Sequence, residues 1–328
     1  MSIAMSTITS IRTPVRVSPA GRARVSIAKA RQPAHTKSNV FGTTRPLLTA
    51  QKPAVRARAT PFVVKADSTA ATPPETYNKF VAFGTAKGEA SVTSILIKAV
   101  VAGMQIGFGM FLASFIGGHC FEIAKLNPGL AKLIMGAFGL PLGLLMVVTS
   151  GSDLFTGNTA AVTSALHEKK VTMMQLMKSW SCSYIGNFIG SVLMAYMVYM
   201  AGSYSGALVS PIGLTATKTS LTFTQAFFRG ILCNYLVCTA IWQAQAAKDF
   251  GGKVMAIWFP VSTFVMLGLE HSVANMFLLP MGKLLGAKVT WATIFSSNLI
   301  PVTLGNTVGG ALFIGTMYSY FYGSLGKK

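Results

Sequence analysis

Six apolar stretches, near 94–117, 130–149, 180–201, 222–245, 254–280 and 297–321, are each long enough to cross a hydrocarbon core of about 30 Å. Inside such a core the backbone has no water to bond, so a chain of this kind is confined to helices or a closed barrel. Apolar runs of this length select helices. Composition agrees, because 52% hydrophobic and 11% charged residues lie outside the range of an ordinary soluble domain. The chain reads as an all-α, polytopic membrane protein.

Polar residues interrupt this pattern twice in the same way. Asp153-Leu-Phe-Thr-Gly-Asn158 and Glu270-His-Ser-Val-Ala-Asn275 stand 117 residues apart, each an acid followed five positions later by asparagine. Gly186-Asn187-Phe-Ile-Gly190 and Gly305-Asn306-Thr-Val-Gly309 form a second pair, 119 residues apart. The chain is therefore two related halves of three spans each, and an odd number of spans sets the halves in opposite orientations across the membrane. The acids and amides interrupt the second and fifth stretches, where inverted-repeat transporters place discontinuous helices and their substrate site. Polar groups at that depth are costly and are expected to line a path or brace the breaks; Asp153, Asn158, Asn187, Asn275 and Asn306 are the repeated set. Glycines spaced by four lie on helix faces that pack closely.

The formal net charge of +20 is uneven. Twelve of the 28 Lys and Arg fall in residues 1–66, where there is no Asp or Glu. That segment is rich in Ser, Thr and Ala and lacks a single apolar stretch, the signature of an organellar transit peptide, and its Ser/Thr content points to a plastid. Cleavage is expected near Arg58 to Ala66. Phe41 and Phe62 are its only aromatic residues and form no stacking series among its arginines, which argues against a nucleic-acid partner. Residues 67–93 read as a polar and amphipathic presegment, 94–323 as the six-helix domain and 324–328 as a short basic tail. Lys79, Lys87, Lys169, Lys170, Lys178, Lys248, Lys253, Lys327 and Lys328 would fall on one side of the membrane against Lys125, Lys132, Lys218, Lys283 and Lys288 on the other, which turns both termini to the stroma.

Other chemistry is poorly supported. Cys120, Cys182, Cys233 and Cys238 form no C-x-x-C pair, and His119-Cys120-Phe-Glu122 lacks a second cluster of ligands, so neither metal nor cofactor is expected. Asn127-Pro128-Gly129 has no Asn-Pro counterpart in the second half, where Asn275 precedes Met276, which argues against a water channel. A nucleophile with a nearby base is missing from the spans, so the chain does not read as an enzyme. His35 and His167 fall in the leader and in a connection.

Read together, Asp153-Leu-Phe-Thr-Gly-Asn158, Cys233-Asn-Tyr-Leu-Val-Cys238, Glu270-His-Ser-Val-Ala-Asn-Met-Phe277 and Asn298-Leu-Ile-Pro-Val-Thr-Leu-Gly-Asn306 resemble the formate/nitrite transporter family over about residues 75–323, nearest to the plastid nitrite or bicarbonate branch of algae. The resemblance implies a homopentamer of aquaporin-like protomers, each with its own pore, with broken second and fifth helices. It implies His271 as the central pore histidine, Asn234 as its partner, Thr156 as an anion-binding hydroxyl, Leu154 and Phe155 as an apolar constriction, and Lys218 as a vestibule cation. Where the family often has glutamate the chain has Asp153, and Gly157-Asn158 is common in nitrite-type members. The expected partners are a small monovalent anion, a proton and the membrane lipid. Nitrite is the first expectation, with bicarbonate and formate as alternatives and a neutral solute less favoured. An imidazole titrates near neutral pH, so His271 is expected to protonate the passing anion. Glu270 is expected to brace the broken helix by accepting backbone N–H bonds, since a free carboxylate would repel the substrate.

Overall fold

The computed structural model describes residues 70–327. The expected leader, with His35 and the proposed cleavage region, lies outside the described residues, as do residues 67–69 and Lys328. The described chain is helical apart from one isolated bridge between Ala70 and Ala247. In chain order the helices are α1 Pro73–Glu89, α2 Val92–His119, α3 Phe121–Leu126, α4 Pro128–Phe138, α5 Leu140–Ser150, α6 Phe155–His167, α7 Met173–Met200, α8 Val209–Thr219, α9 Phe223–Ala246, α10 Phe250–Met266 and α11 Ser272–Leu284, then a terminal helix, Trp291–Tyr322.

Local sequence sets the starts. Thr172 with Gln175 and Thr222 with Gln225 form capping boxes that open α7 and α9, and the Ser91 hydroxyl and Asp249 carboxylate accept backbone N–H groups at the heads of α2 and α10. The box at Thr172 begins the third span seven residues before the apolar run at 180, because a polar first turn can leave the hydrocarbon while staying helical. Among the described residues four helical stretches are long and apolar enough to cross a membrane alone: Val92–His119, Pro128–Ser150 (α4 continued by α5), Met173–Met200 and Trp291–Tyr322. The 24-residue α9 has the length but turns Asn234 and its neighbours inward, and α10 with α11 completes the fifth crossing.

The two halves correspond element by element along the sequence. In the first, α2 packs on α7; in the second, α9 packs on the terminal helix, and both contacts are made through glycine. A Cβ at Gly190 would strike the Val100 carbonyl of α2, and one at Gly305 would strike the Phe227 carbonyl of α9. The repeat is also longer than three spans. The α1 helix, expected as a separate presegment, carries Lys87 in its last turn, while α8, which the hydropathy pattern does not single out, carries Lys218 in its own; each helix precedes the first span of its half. They are counterparts, so α1 is the first element of the first repeat. The terminal helix departs from its partner α7 by widening into π turns at Ile294–Leu299 and Ala311–Thr316.

Candidate functional site

Both breaks are built alike. The α5 helix ends at Gly151 (φ +68°) and α10 is followed by Gly268 (φ +67°), two left-handed positions 117 residues apart that L side chains rarely adopt. Three residues then lead into α6 and α11. Buried backbone groups freed by each break need partners, and one asparagine supplies them in each half. Asn187 Oδ1 accepts the Phe155 N–H (2.9 Å) while its Nδ2 donates to the carbonyls of Ala99 and Asp153 (both 2.8 Å). Asn306 Oδ1 accepts the Ser272 N–H (2.8 Å) while its Nδ2 donates to the carbonyls of Gly230 and Glu270 (both 2.9 Å).

The acid of each motif meets a lysine and the motif's own asparagine. Glu270 Oε1 lies 2.7 Å from Lys218 Nζ, and its Oε2 accepts from Asn275 Nδ2 (2.7 Å) and Asn298 Nδ2 (3.1 Å). Asp153 Oδ1 lies 3.1 Å from Lys87 Nζ and accepts from Asn158 Nδ2 (3.3 Å), with Ser179 taking the place of Asn298 at 3.4 Å from Asn158 Nδ2. Lys87 also donates to the carbonyls of Gly151 and Ser152 (both 2.9 Å), at the C-terminal end of α5 where a cation suits the helix dipole. The Glu270 carboxylate meets a lysine and two side-chain amides, not the backbone N–H groups expected of it; its own N–H donates to Arg229 O (3.4 Å). Lys87, read from sequence only as a topology charge, is 7% exposed and belongs to this set. No signal in the sequence marks it; its counterpart in position is Lys218, each in the last turn of the helix before the first span of its half.

Between the two ion pairs, α6 and α11 begin at one place. Thr156 Oγ1 and His271 Nε2 are 3.1 Å apart, and both residues are buried. His271 caps α11, its Nδ1 accepting the Ala274 N–H (3.0 Å). A ring nitrogen that accepts a backbone N–H carries no hydrogen, so in the neutral ring the hydrogen sits on Nε2, facing Thr156. Charging the ring would set an Nδ1–H against the Ala274 N–H and break the cap. The arrangement makes His271 a hydrogen-bond donor toward Thr156, and full proton donation, as expected from sequence, would require the cap to open. Asn234 does not reach the imidazole; its Nδ2 donates to Thr156 O (3.1 Å), Thr159 Oγ1 (3.0 Å) and Asn306 O (2.5 Å), while its Oδ1 is buried without a partner. It fixes the carbonyl of Thr156 and, through that residue, the hydroxyl.

Apolar side chains close the space on either side of this contact. Phe264 of α10, which carries no signal in the sequence, stacks on the His271 ring with centroids 5.8 Å apart and planes 11° from parallel. Toward Lys218 lies a cavity of about 60 Å³ lined by Lys218, Phe264, His271 and Asn275; toward Lys87 lies one of about 40 Å³ lined by Leu154, Asn158 and Ile241. Between them a space of about 10 Å³ is bounded by Ile106, Leu144, Val237, Phe264 and His271. Leu154 thus faces the row of cavities. Phe155 packs edge-on against Tyr184 (5.1 Å). His119 stacks on Phe115 at a helix end, and no group of three or more His, Cys, Asp or Glu among the described residues is placed to hold a metal.

Two related halves, whose broken helices begin together at a buried threonine and histidine with a lysine–acid pair beyond each, define the protomer of a membrane channel or transporter. The comparisons with known proteins give the family. A sequence profile described as formate/nitrite transporter matches residues 74–320, and the chain belongs to that family. It is 40% identical over 267 residues to a probable formate transporter of Methanothermobacter thermautotrophicus, covering 76% of this chain and 96% of that one. It is 35% identical over 267 residues to a formate-nitrite transporter of Plasmodium knowlesi (strain H), covering 77% and 84%. Among solved structures it is similar to an FNT family ion channel (TM-score 0.68, 33% identity, 75% and 98% covered) and to a pentameric formate channel with formate bound (TM-score 0.62, 30% identity, 70% and 97% covered). The protomer has the aquaporin-like, doubly broken architecture that the sequence resemblance implied. The relatives are transporters and channels, not enzymes.

Proposed function

We propose that this protein is a homopentameric, pH-coupled channel for a small monovalent anion, nitrite before bicarbonate or formate, in the inner plastid envelope with both termini toward the stroma. The observation that carries the anion reading is the meeting of two helix N-termini at Thr156 and His271. Partial positive charge gathers there from both half-helices, and two side-chain groups can turn hydrogen bonds to a guest. Similarity to proteins described as formate channels and formate-nitrite transporters supports the substrate class, and the described pentamer among them supports the assembly. The choice of nitrite rests on the Asp153 and Gly157-Asn158 loop, and the plastid on residues 1–66 as a transit peptide.

In this reading the lysines draw the anion into each vestibule, and the apolar stretch then strips its water. A bare charge is opposed strongly there. The anion of a weak acid escapes that penalty by taking up a proton from water in the vestibule and returning it to water beyond the constriction, and the neutral acid is held at the centre by the Thr156 hydroxyl and the Nε2–H of His271. Selection against strong-acid anions follows, because they stay charged. Uptake of nitrite, formate and bicarbonate into liposomes carrying residues 67–328, at matched driving force and two pH values, tests the proposal. Nitrite-dominated flux that rises as pH falls is the expected result; bicarbonate-dominated flux would move the protein to carbon supply, and rapid water passage without anion flux would sink both.

A further inference from the structure

On the Lys218 side of the protomer a second, larger cavity of about 320 Å³ runs between the end of α2, α3, α4 and α8. Its walls are almost wholly uncharged, with Phe121, Pro128 and Val209 among them, and Lys132 is the one charged residue of the lining. Lys132 is exposed and has no ion pair among the described residues. Met135 and Leu214 line this groove and also line the Lys218 vestibule, so one layer of two flexible side chains separates the two spaces. Glycine keeps the groove open: a Cβ at Gly117 would lie 3.1 Å from Met135 Sδ, whereas one at Gly213 meets nothing within 4 Å and would point into free space.

An apolar trough of this size with one cation at its rim has the make-up of a small-molecule site, in which the walls supply affinity and a single polar group sets orientation. The charge complement of that rim is a single negative headgroup, and the complement of the trough is a short hydrocarbon tail. We propose that the groove binds a soluble amphiphilic monoanion, one carboxylate or sulfonate on a medium-length alkyl chain, with the headgroup at Lys132 and the tail along α2, α4 and α8. Its tail presses Met135 and Leu214 toward Lys218 and closes that vestibule, so occupancy inhibits conduction. The inhibition rests on the reading of the vestibule as part of the conducting path; binding in the groove does not.

Octane-1-sulfonate is the probe, since it stays charged and cannot carry protons through the bilayer as a fatty acid would. The full chain is reconstituted in phosphatidylcholine vesicles and formate or nitrite uptake is followed as the sulfonate is raised. Gly213→Leu fills the groove from within and Lys132→Gln removes the charge. Each is expected to raise the half-inhibitory concentration about tenfold, the worth of one well-placed contact, with uninhibited flux unchanged. Butane-1-sulfonate should inhibit far less. Equal inhibition of wild type and both variants would assign the effect to the bilayer and overturn the site. Loss of the oligomer in Gly213→Leu would mean that a neighbouring copy fills the groove, and relief of sulfonate inhibition by added phosphatidylglycerol would mean that a lipid does; either overturns the proposal. Thermal stabilisation by octane-1-sulfonate, present in wild type and absent in Gly213→Leu, reads the binding even if no anion flux is found, which separates failure of the site from failure of the channel reading.

Discussion

Removing the charge of Lys218 tests both the brace that the geometry shows and the anion attraction proposed for the same side chain. Lys218 Nζ sits 2.7 Å from Glu270 Oε1, with side-chain exposures of 15% and 1%. Lys218→Met keeps the aliphatic stem and leaves Glu270 ionised in a site where only Asn275 and Asn298 remain to hold it. Breaking a buried pair from one side costs about 3–5 kcal/mol. At about 2–4 °C per kcal/mol for a domain of this size, the apparent melting temperature of the purified oligomer should fall by roughly 6–20 °C. In Lys218→Met/Glu270→Gln no charge is left, and a glutamine oxygen can still accept from both asparagines; neutral replacement of a buried pair is commonly close to isoenergetic, so most of that loss should return. The proposed attraction of anions should not return, because the pair presents its ammonium and not its carboxylate to the vestibule, with exposures of 15% against 1%, and that group has gone. Thermal stability by size exclusion after heating, together with the substrate dependence of uptake, therefore separates bracing from attraction. A double variant as unstable as the single would refute the ion-pair account, and a double variant with wild-type apparent affinity would show that Lys218 serves Glu270 alone.

Three further outcomes are expected. His271→Asn retains a good capping residue at the head of α11, so the oligomer should assemble, while loss of the Nε2–H donor toward the guest should lower uptake by roughly tenfold, the worth of one hydrogen bond; collapse of the oligomer would assign His271 a purely structural role, and unchanged flux would remove it from the pathway. Asn187→Leu and Asn306→Leu each strip partners from three buried backbone groups, at about 1–3 kcal/mol per group, and should abolish the folded oligomer on size exclusion to the same degree; tolerance of one but not the other would mean that the breaks are not braced alike. Glu168 ties α1 to the C-terminal tail, accepting from Tyr77 Oη (2.7 Å) and the Ser324 N–H (2.8 Å). Burial works to raise its carboxyl, but the Ser324 and Tyr77 hydrogen bonds and Lys327 outweigh it and hold the group below its ordinary value. Because the folded state depresses the value, the stabilisation is present above the ordinary range near pH 4 and is lost as pH falls through the depressed one. The hydrogen-exchange protection of Gly323–Lys327, taken relative to the unstructured rate at each pH, should fall on acidification below about pH 4 in wild type and should be lower and independent of pH in Glu168→Gln.

The parts legible in the sequence were those that repeat. Two acids, two asparagines five positions on and two Gly-Asn pairs at nearly constant offset announced an inverted duplication, because polar groups stand out against apolar spans. Hydropathy could not place α8, which has only 11 residues and sits between spans, nor the part of α1 that carries Lys87. Buried lysine looks the same in sequence as exposed lysine, and only packing brought Lys87 to Asp153. Phe264 was hidden for the converse reason, as one aromatic residue among many in an apolar helix. Asn234 was marked by its motif, but its partner was not readable: which carbonyl an amide reaches depends on how far the helices approach, and that is set by Gly310 on the opposite face.

That approach also explains how a symmetric frame carries an asymmetric path. The bracing residues come in matched pairs, Asp153 with Glu270, Asn187 with Asn306 and Lys87 with Lys218, whereas the centre pairs Leu154 with His271 and Gly103 with Asn234. In the first half Gly103 lets α2 meet Asn187 of α7 backbone to backbone, and Ser191 donates to the Gly103 carbonyl (3.1 Å). In the second the bulk is exchanged: Asn234 occupies the α9 position and Gly310 makes room on the terminal helix, where a Cβ would strike Thr159 Oγ1 and lie 2.7 Å from Asn234 Nδ2. Volume at the two interfaces is thus balanced while polarity is moved to one wall, which gives a guest at the centre a set of donors on one side and leucine on the other. Variants at matched positions should then register first as lost stability, and variants at Leu154, Asn234 and His271 as altered conduction in an oligomer that still forms; a stability loss at the unmatched positions as large as at the matched ones would contradict this division.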